Sequence, residues 1–280
     1  MGYLLGIDAG STNYKVIACD AVGRFLASAR RPANTKYHEN GWAETSPELI
    51  WEGVAACIAE VAAQLPGESC DGIAVASSGE DVLLDGAAQS VYPAIRWFDT
   101  RTEAIASAWE PFGRERIYRI TGINPNPVAS ITKMQWIKRY VPEAWARARL
   151  WIPIAGFISL KLTGTARAPW TNACRSMAFD LNHRDWSEEI LAEAGIERSL
   201  LAEPIRPGEQ IGALTAAAAA ATGLKEGTPV FAGGVDYACG TFATGIIRPG
   251  QMLDSTGTSE QLLAILDAPE ISSASMEKNF

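Results

Sequence analysis

Two short stretches carry the residue types that grip a phosphate. Leu4-Leu5-Gly6-Ile7-Asp8-Ala9-Gly10-Ser11-Thr12 runs into Asn13-Tyr14-Lys15-Val16-Ile17, and Met252-Leu253-Asp254-Ser255-Thr256-Gly257-Thr258-Ser259 runs into Glu260-Gln261-Leu262-Leu263. Each is an apolar run, an aspartate, a few small residues and a second apolar run. That pattern is a tight hairpin whose turn presents backbone N–H groups and hydroxyls. Such a turn makes an anion-binding concavity without a helix dipole. Gly10, Ser11 and Thr12 are the candidate donors of the first turn, and Gly257, Thr258 and Ser259 those of the second. Two related hairpins suggest a phosphate held between two related domains. Asp8 closes the first strand, where a carboxylate suits a hard cation such as Mg²⁺, directly or through water; the other reading is a turn-forming Asx residue. Lys15 alternates with Tyr14 and Val16 on the return strand, facing either the same anion or solvent. Nothing matches G-x-x-x-x-G-K-[ST], which excludes a Walker-type site.

A third carboxylate, Asp236, stands where the strand signal Pro229-Val230-Phe231-Ala232 meets a small-residue helix. An aspartate there is either a helix N-cap or a base for an attacking alcohol. Trp97 and Asp99 follow another strand signal, Pro93-Ala94-Ile95. An indole face and a carboxylate suit a polyol, the ring against C–H groups and the acid toward hydroxyls. With nine tryptophans in the chain, Trp97 reads equally as core.

The elements that must position these groups open as strands at 3–8, 14–20 and 25–31, a three-stranded antiparallel unit joined by the glycine turn and by Val22-Gly23. Ser46-Pro47-Glu48 then starts a helix over 47–65, with Ile50, Val54, Ile58, Val61 and Leu65 at helical spacing. Short buried strands follow at 73–76 and 82–84. Helices are expected at 101–110, 129–140, 154–162 and 187–194, and an alanine-rich one from Ala213 to Thr222, stopped by Gly223.

Composition bounds the function. A net charge of −8 with no basic block leaves nothing to neutralise nucleic-acid phosphates. Five scattered cysteines, never in a C-x-x-C pair, read as free thiols of a reducing compartment. No apolar run is long enough to span a bilayer and no leader pattern precedes the first strand. The expectation is a cytoplasmic protein without membrane or nucleic-acid partners.

In sequence order these motifs resemble the FGGY carbohydrate kinases, of the actin, Hsp70 and hexokinase superfamily. The resemblance rests on the Asp8–Thr12 turn and its Gly257-Thr258-Ser259 echo; Gly41-Trp42-Ala43-Glu44 with Pro47 and Trp51; and Trp97-Phe98-Asp99-Thr100-Arg101. It continues through Thr121-Gly122, Lys133 and Trp136; Leu162-Thr163-Gly164 with Thr171-Asn172-Ala173; and Gly233-Gly234-Val235-Asp236-Tyr237-Ala238-Cys239-Gly240. It implies an α/β ribonuclease-H-like (actin-like ATPase) domain and ATP with Mg²⁺ as cofactors. It further implies Asp236 as catalytic base, with Glu80, Trp97, Asp99, Asp236 and Tyr237 around a small-molecule sugar or polyol. Residues 1–249 would form the sugar-binding domain and 250–280 the first hairpin of a truncated nucleotide-binding domain, poorly anchored and with open edges that could pair with a second copy in a homodimer. Gly79 replaces the arginine that glycerol kinases carry before their glutamate, and Val128 and Pro169 depart from relatives at two further places. These departures argue against glycerol and leave a pentulose, hexulose or larger polyol. A sugar-binding fragment or descendant that transfers nothing is the alternative, with an actin- or Hsp70-like conformational ATPase behind it.

Overall fold

The computed structural model describes residues 2–256 and 260–278. Strands β1 (Gly2–Ala9), β2 (Asn13–Cys19) and β3 (Phe25–Pro32) form the expected antiparallel unit. Alternation sends Tyr3, Leu5, Ile7 and Ala9 of β1, and Tyr14, Val16 and Ala18 of β2, into the core. Helix α1 (Pro47–Gln64) covers that face with Ile50, Val54, Cys57, Ile58 and Val61. Its start is written locally, because the Ser46 hydroxyl accepts the Leu49 N–H at 3.4 Å and Pro47 occupies the first turn.

From α1 the chain enters β4 (Ser69–Ser77), parallel to β1, and much later β6 (Pro229–Val235), parallel to β4. Between them, β5 (Gln210–Ala213) supplies the antiparallel outer edge, giving the order β5-β6-β4-β1-β2-β3. Parallel neighbours need crossovers. One is α1; the other is the long middle segment, which includes α2 (Ser130–Tyr140) and α3 (Ile154–Thr163). Helix α3 packs on β4 and β6, on the same side of the sheet as α1. The opposite side keeps Leu4, Lys15 and Ile17 exposed and is partly overlain by α5 (Asp236–Ala243).

Some expected boundaries move. The helix expected over 101–110 breaks into Glu103–Ser107 and a 3₁₀ turn Glu110–Phe112; Pro111 has no N–H to continue the i to i−4 bonding onto Ser107. Ala213 ends β5, and α4 (Ala216–Thr222) starts later because Thr215 accepts the Ala218 N–H at 3.2 Å. Helices Arg114–Thr121 and Pro142–Arg147 were not expected. The strands Met252–Thr256 and Glu260–Ala264 pair with each other and with no other described strand. The tail is anchored, contrary to expectation: the Met276 carbonyl accepts from Arg114 Nη2 at 2.9 Å and Asn124 Nδ2 at 3.1 Å. No helix among the described residues is long and apolar enough to cross a membrane.

Candidate active site

The parallel register sets the site. Asp8 lies beside Ala76, and Val235 beside Ser77, so β1, β4 and β6 end level and deliver Asp8, Ser77 and Asp236 to one edge. Reaching that edge takes two glycines. The β6 register slips between Ala232 and Gly234, and a Cβ on the intervening Gly233 would stand 2.2 Å from the Val75 carbonyl oxygen. A Cβ on Gly234 would stand 2.2 Å from Thr171 Oγ1. Thr171 uses that oxygen to accept the Val235 N–H at 2.9 Å, while Asn172 Nδ2 donates to Ser77 Oγ at 3.3 Å. The T-N-A stretch is thus a fastener that pins the ends of β6 and β4 together.

Asp236 opens α5, but Val235 occupies the cap position. Oδ1 of Asp236 accepts its neighbour Tyr237's N–H at 2.7 Å. The carboxylate lines a cleft of about 460 Å³ shared with Asp8, Lys15, Ile17, Gly233 and Cys239. Burial raises its pKa above the ordinary aspartate value and the charges of Asp8 and Glu80 push it further, against the Tyr237 N–H bond and, less strongly, the charge of Arg175. Burial likewise raises Asp8, opposed by Lys15, which pairs with Oδ2 at 3.5 Å as their cross-strand register dictates. Oδ1 of Asp8 is buried without a partner among the described residues. An orphaned carboxylate oxygen at a strand end fits a cation that takes one or two carboxylates and completes its shell with water or phosphate. The described residues contain no cluster of three or more protein ligands.

The first turn differs in detail from expectation. The Gly10 N–H donates to the Asn13 carbonyl at 3.2 Å, closing the turn rather than facing an anion. Ser11's carbonyl accepts from Arg96 Nη2 at 3.0 Å, and Thr12 is exposed at the rim. Gly257, Thr258 and Ser259 lie outside the described residues.

The expected sugar residues separate into two groups. Asp99 is fully enclosed, its oxygens taken by Arg101 Nε at 3.0 Å, Arg101 Nη2 at 2.7 Å and the N–H groups of Arg101 (2.9 Å) and Ala43 (2.7 Å). It has no oxygen left for a hydroxyl, so its expected sugar contact is corrected. Arg101 also pairs with Glu44 at 2.6 Å and stacks over Trp42 (4.2 Å) and Trp136 (5.0 Å). Three motifs of the chain therefore meet in one structural cluster. Burial opposes the Asp99 charge, but the Arg101 donors and the Ala43 N–H outweigh it and hold the pKa below the ordinary carboxylate value. Glu80 is also enclosed, bonded to Ser78 at 2.5 Å and Arg96 at 3.3 Å. Trp97 stays outside the core, half-buried and edge-on to Phe98 at 5.6 Å. Tyr237 adjoins the base, with its hydroxyl 3.4 Å from Arg175 Nη1. Arg175 escaped the sequence reading; its one signal was an arginine two residues after T-N-A in a stretch of small residues.

An actin-like sheet with two carboxylates at its strand ends defines the class of fold. Residues 3–243 match the family model of the FGGY family of carbohydrate kinases, N-terminal domain, and the chain belongs to that family. It is 33% identical over 264 residues to an L-fuculokinase of Escherichia coli (strain K12), an alignment covering 93% of this chain and 56% of that protein. To a xylulose kinase of Bacillus subtilis (strain 168) it is 28% identical over 274 residues, covering 96% of this chain and 55% of the other. The crystal structure of xylulose kinase from Rhodospirillum rubrum superposes with a TM-score of 0.93 at 26% identity, over 96% of this chain and 57% of that one. The chain thus spans about half the length of the relatives it matches.

Proposed function

We propose that the complete protein transfers the γ-phosphoryl group of ATP to a hydroxyl of a sugar such as xylulose or fuculose, with residues 1–249 as its sugar-binding domain and the hairpin from 250 onward opening a nucleotide-binding one. The observation that carries this reading is the convergence of Asp8 and Asp236 on one cleft at the ends of β1 and β6. Phosphoryl transfer asks for charge neutralisation, in-line positioning and an acceptor for the hydroxyl proton. Asp236, with only one oxygen drawn to Tyr237, accepts that proton. Asp8, through its unpartnered oxygen, holds Mg²⁺, which when bound neutralises phosphate charge. Lys15, Ser11 and Thr12 complete the phosphate side, and Gly257, Thr258 and Ser259 are assigned as further phosphate donors on the family motif. Trp97 offers a face for the sugar, and Glu80 acts through its charge on Asp236. The names of the sugar-kinase relatives and the consumption of ATP support a cytoplasmic location.

The test is ADP formation by the complete protein with ATP, Mg²⁺ and, in turn, D-xylulose, L-fuculose and glycerol. Turnover with a ketose and little with glycerol is expected. A complete protein that forms no ADP with any of them would overturn the reading.

A further inference from the structure

We propose that Arg175 is a specificity-determining residue that donates a hydrogen bond to a neutral oxygen of the sugar beside Asp236, and that Gly79 is small because it leaves room for this guanidinium. The inference rests on the kinase reading above. Its first support is placement. Arg175 follows Trp170–Ala173 in a 3₁₀ turn, and Thr171 and Asn172 bond to the ends of β6 and β4. Its backbone is therefore fixed relative to Asp236, whose charge it stabilises.

The second support is an unmet donor. Nε of Arg175 is buried with no partner among the described residues, and Nη1 makes a 3.4 Å contact with the Tyr237 hydroxyl. The guanidinium lies 5.8 Å from the Tyr237 ring centre. Arg96 and Arg101, by contrast, are held in ion pairs, Arg96 with Glu80 and Arg101 with Asp99 and Glu44. An arginine keeps its charge at any working pH, and a buried donor left unpaired costs free energy. A ligand oxygen arriving beside the base removes that cost.

The third support comes from the facing segment. A Cβ on Gly79 would stand 2.4 Å from Arg175 Nε and 3.1 Å from Cζ. Any side chain there displaces the guanidinium. The surroundings select the ligand's charge. Asp8 and Asp236 line the same cleft, and two carboxylates there disfavour a third carried by the substrate. A hydroxyl or carbonyl oxygen of a neutral ketose fits.

Steady-state kinetics on the complete protein, with ATP and whichever of D-xylulose and L-fuculose the wild type turns over, test this. Arg175→Met is expected to raise the sugar KM roughly 10- to 100-fold, the loss of a charged hydrogen bond, with the ATP KM unchanged and melting temperature recorded alongside. Arg175→Lys should recover part of the loss. Gly79→Ala should raise the sugar KM in the wild type yet add less than about twofold in the Arg175→Met background, because contacting sites couple. If Arg175→Met does not fold, Arg175→Lys and Gly79→Ala carry the test. An unchanged sugar KM in Arg175→Met, or a full Gly79→Ala effect without Arg175, overturns the inference while the kinase reading stands. A substantially lower KM for gluconate than for the ketose overturns the neutral-oxygen assignment. A wild type without turnover overturns both.

Discussion

In the proposed kinase reading Asp236 is the base, and its surroundings predict how it behaves. Asp236→Asn preserves volume and most hydrogen bonds but removes the basic lone pair. In the complete protein kcat should fall by about 10²–10⁴-fold with little change in sugar affinity. A variant keeping more than roughly a tenth of the activity would reduce Asp236 to a helix-start residue. The pH profile gives a second check. A base must be ionised, and burial with the charges of Asp8 and Glu80 raises the Asp236 pKa. Activity should therefore be lost on acidification at a pH above the ordinary aspartate value of about 3.9. An acid limb at or below that value contradicts the assignment. Trp97, being half-buried and outside the core, should act on binding rather than folding. Trp97→Ala is expected to raise the sugar KM about five- to hundred-fold, for a contact of about 1–3 kcal/mol. A large drop in melting temperature with normal KM would move this indole to the core.

Among the elements, β6 and the Arg101 cluster bear most directly on the site. In Gly233→Ala the new methyl meets the Val75 carbonyl, which is strand backbone on the neighbouring β4 and cannot swing away. The expected cost is about 1–3 kcal/mol of stability, with a loss of kcat because β6 leads directly into Asp236 at the start of α5. Full activity and an unchanged melting temperature would show that the bulge is dispensable. The cluster of Trp42, Glu44, Asp99, Arg101 and Trp136 joins the segment before α1, the turn bearing Trp97 and helix α2. Asp99→Asn weakens the bidentate partner of an enclosed arginine, and breaking such a pair costs about 3–5 kcal/mol. The pH dependence follows from the depressed Asp99 pKa. A carboxylate held below its unfolded value of about 3.9 stabilises the fold above that pH, and the contribution disappears as pH falls through the folded value. The stability gap between wild type and Asp99→Asn in urea should thus be wide at neutral pH and shrink in acid. A gap independent of pH would assign the effect to packing.

In the proposed reading, the described residues build one wall of the phosphoryl-transfer cleft. The sheet face bearing Leu4 and Ile17 leaves both residues 46% exposed, and Phe242 on α5 is 72% exposed. Positioning and charge neutralisation make up nearly all of phosphoryl-transfer catalysis, so a single wall is insufficient. A protein of these 280 residues alone should show negligible ATP affinity by calorimetry and no turnover. Stoichiometric ATP binding would refute this. The hairpin Met252–Ala264 has open edges among the described residues and exposed Met252 and Leu262. Such edges pair readily, so sedimentation should show self-association of the 280-residue protein that weakens when Leu262 is replaced by lysine.

Local chemistry is legible along a chain, and much here was local. The alternation of β1 to β3, the Ser46-Pro47 start of α1 and the aspartates at strand ends all follow from rules acting over a few residues. The family motifs were legible too, as residue types in order. Their roles were not, because a motif records which residues are present rather than what they touch. Asp99 and Glu80 both looked like sugar ligands; Asp99 is a buried partner of Arg101, and Glu80 is paired with Arg96. Arg101 stands only two residues from Asp99 and Arg96 sixteen from Glu80, while Arg101's other partner, Glu44, is 57 residues away. What the chain hides is that the fold encloses these charges, and enclosed charges need partners. The same holds for Gly233, Thr171 and Arg175. Their importance comes from contacts with Val75, Val235 and Gly79 that exist only once β4, β6 and the T-N-A turn are packed side by side.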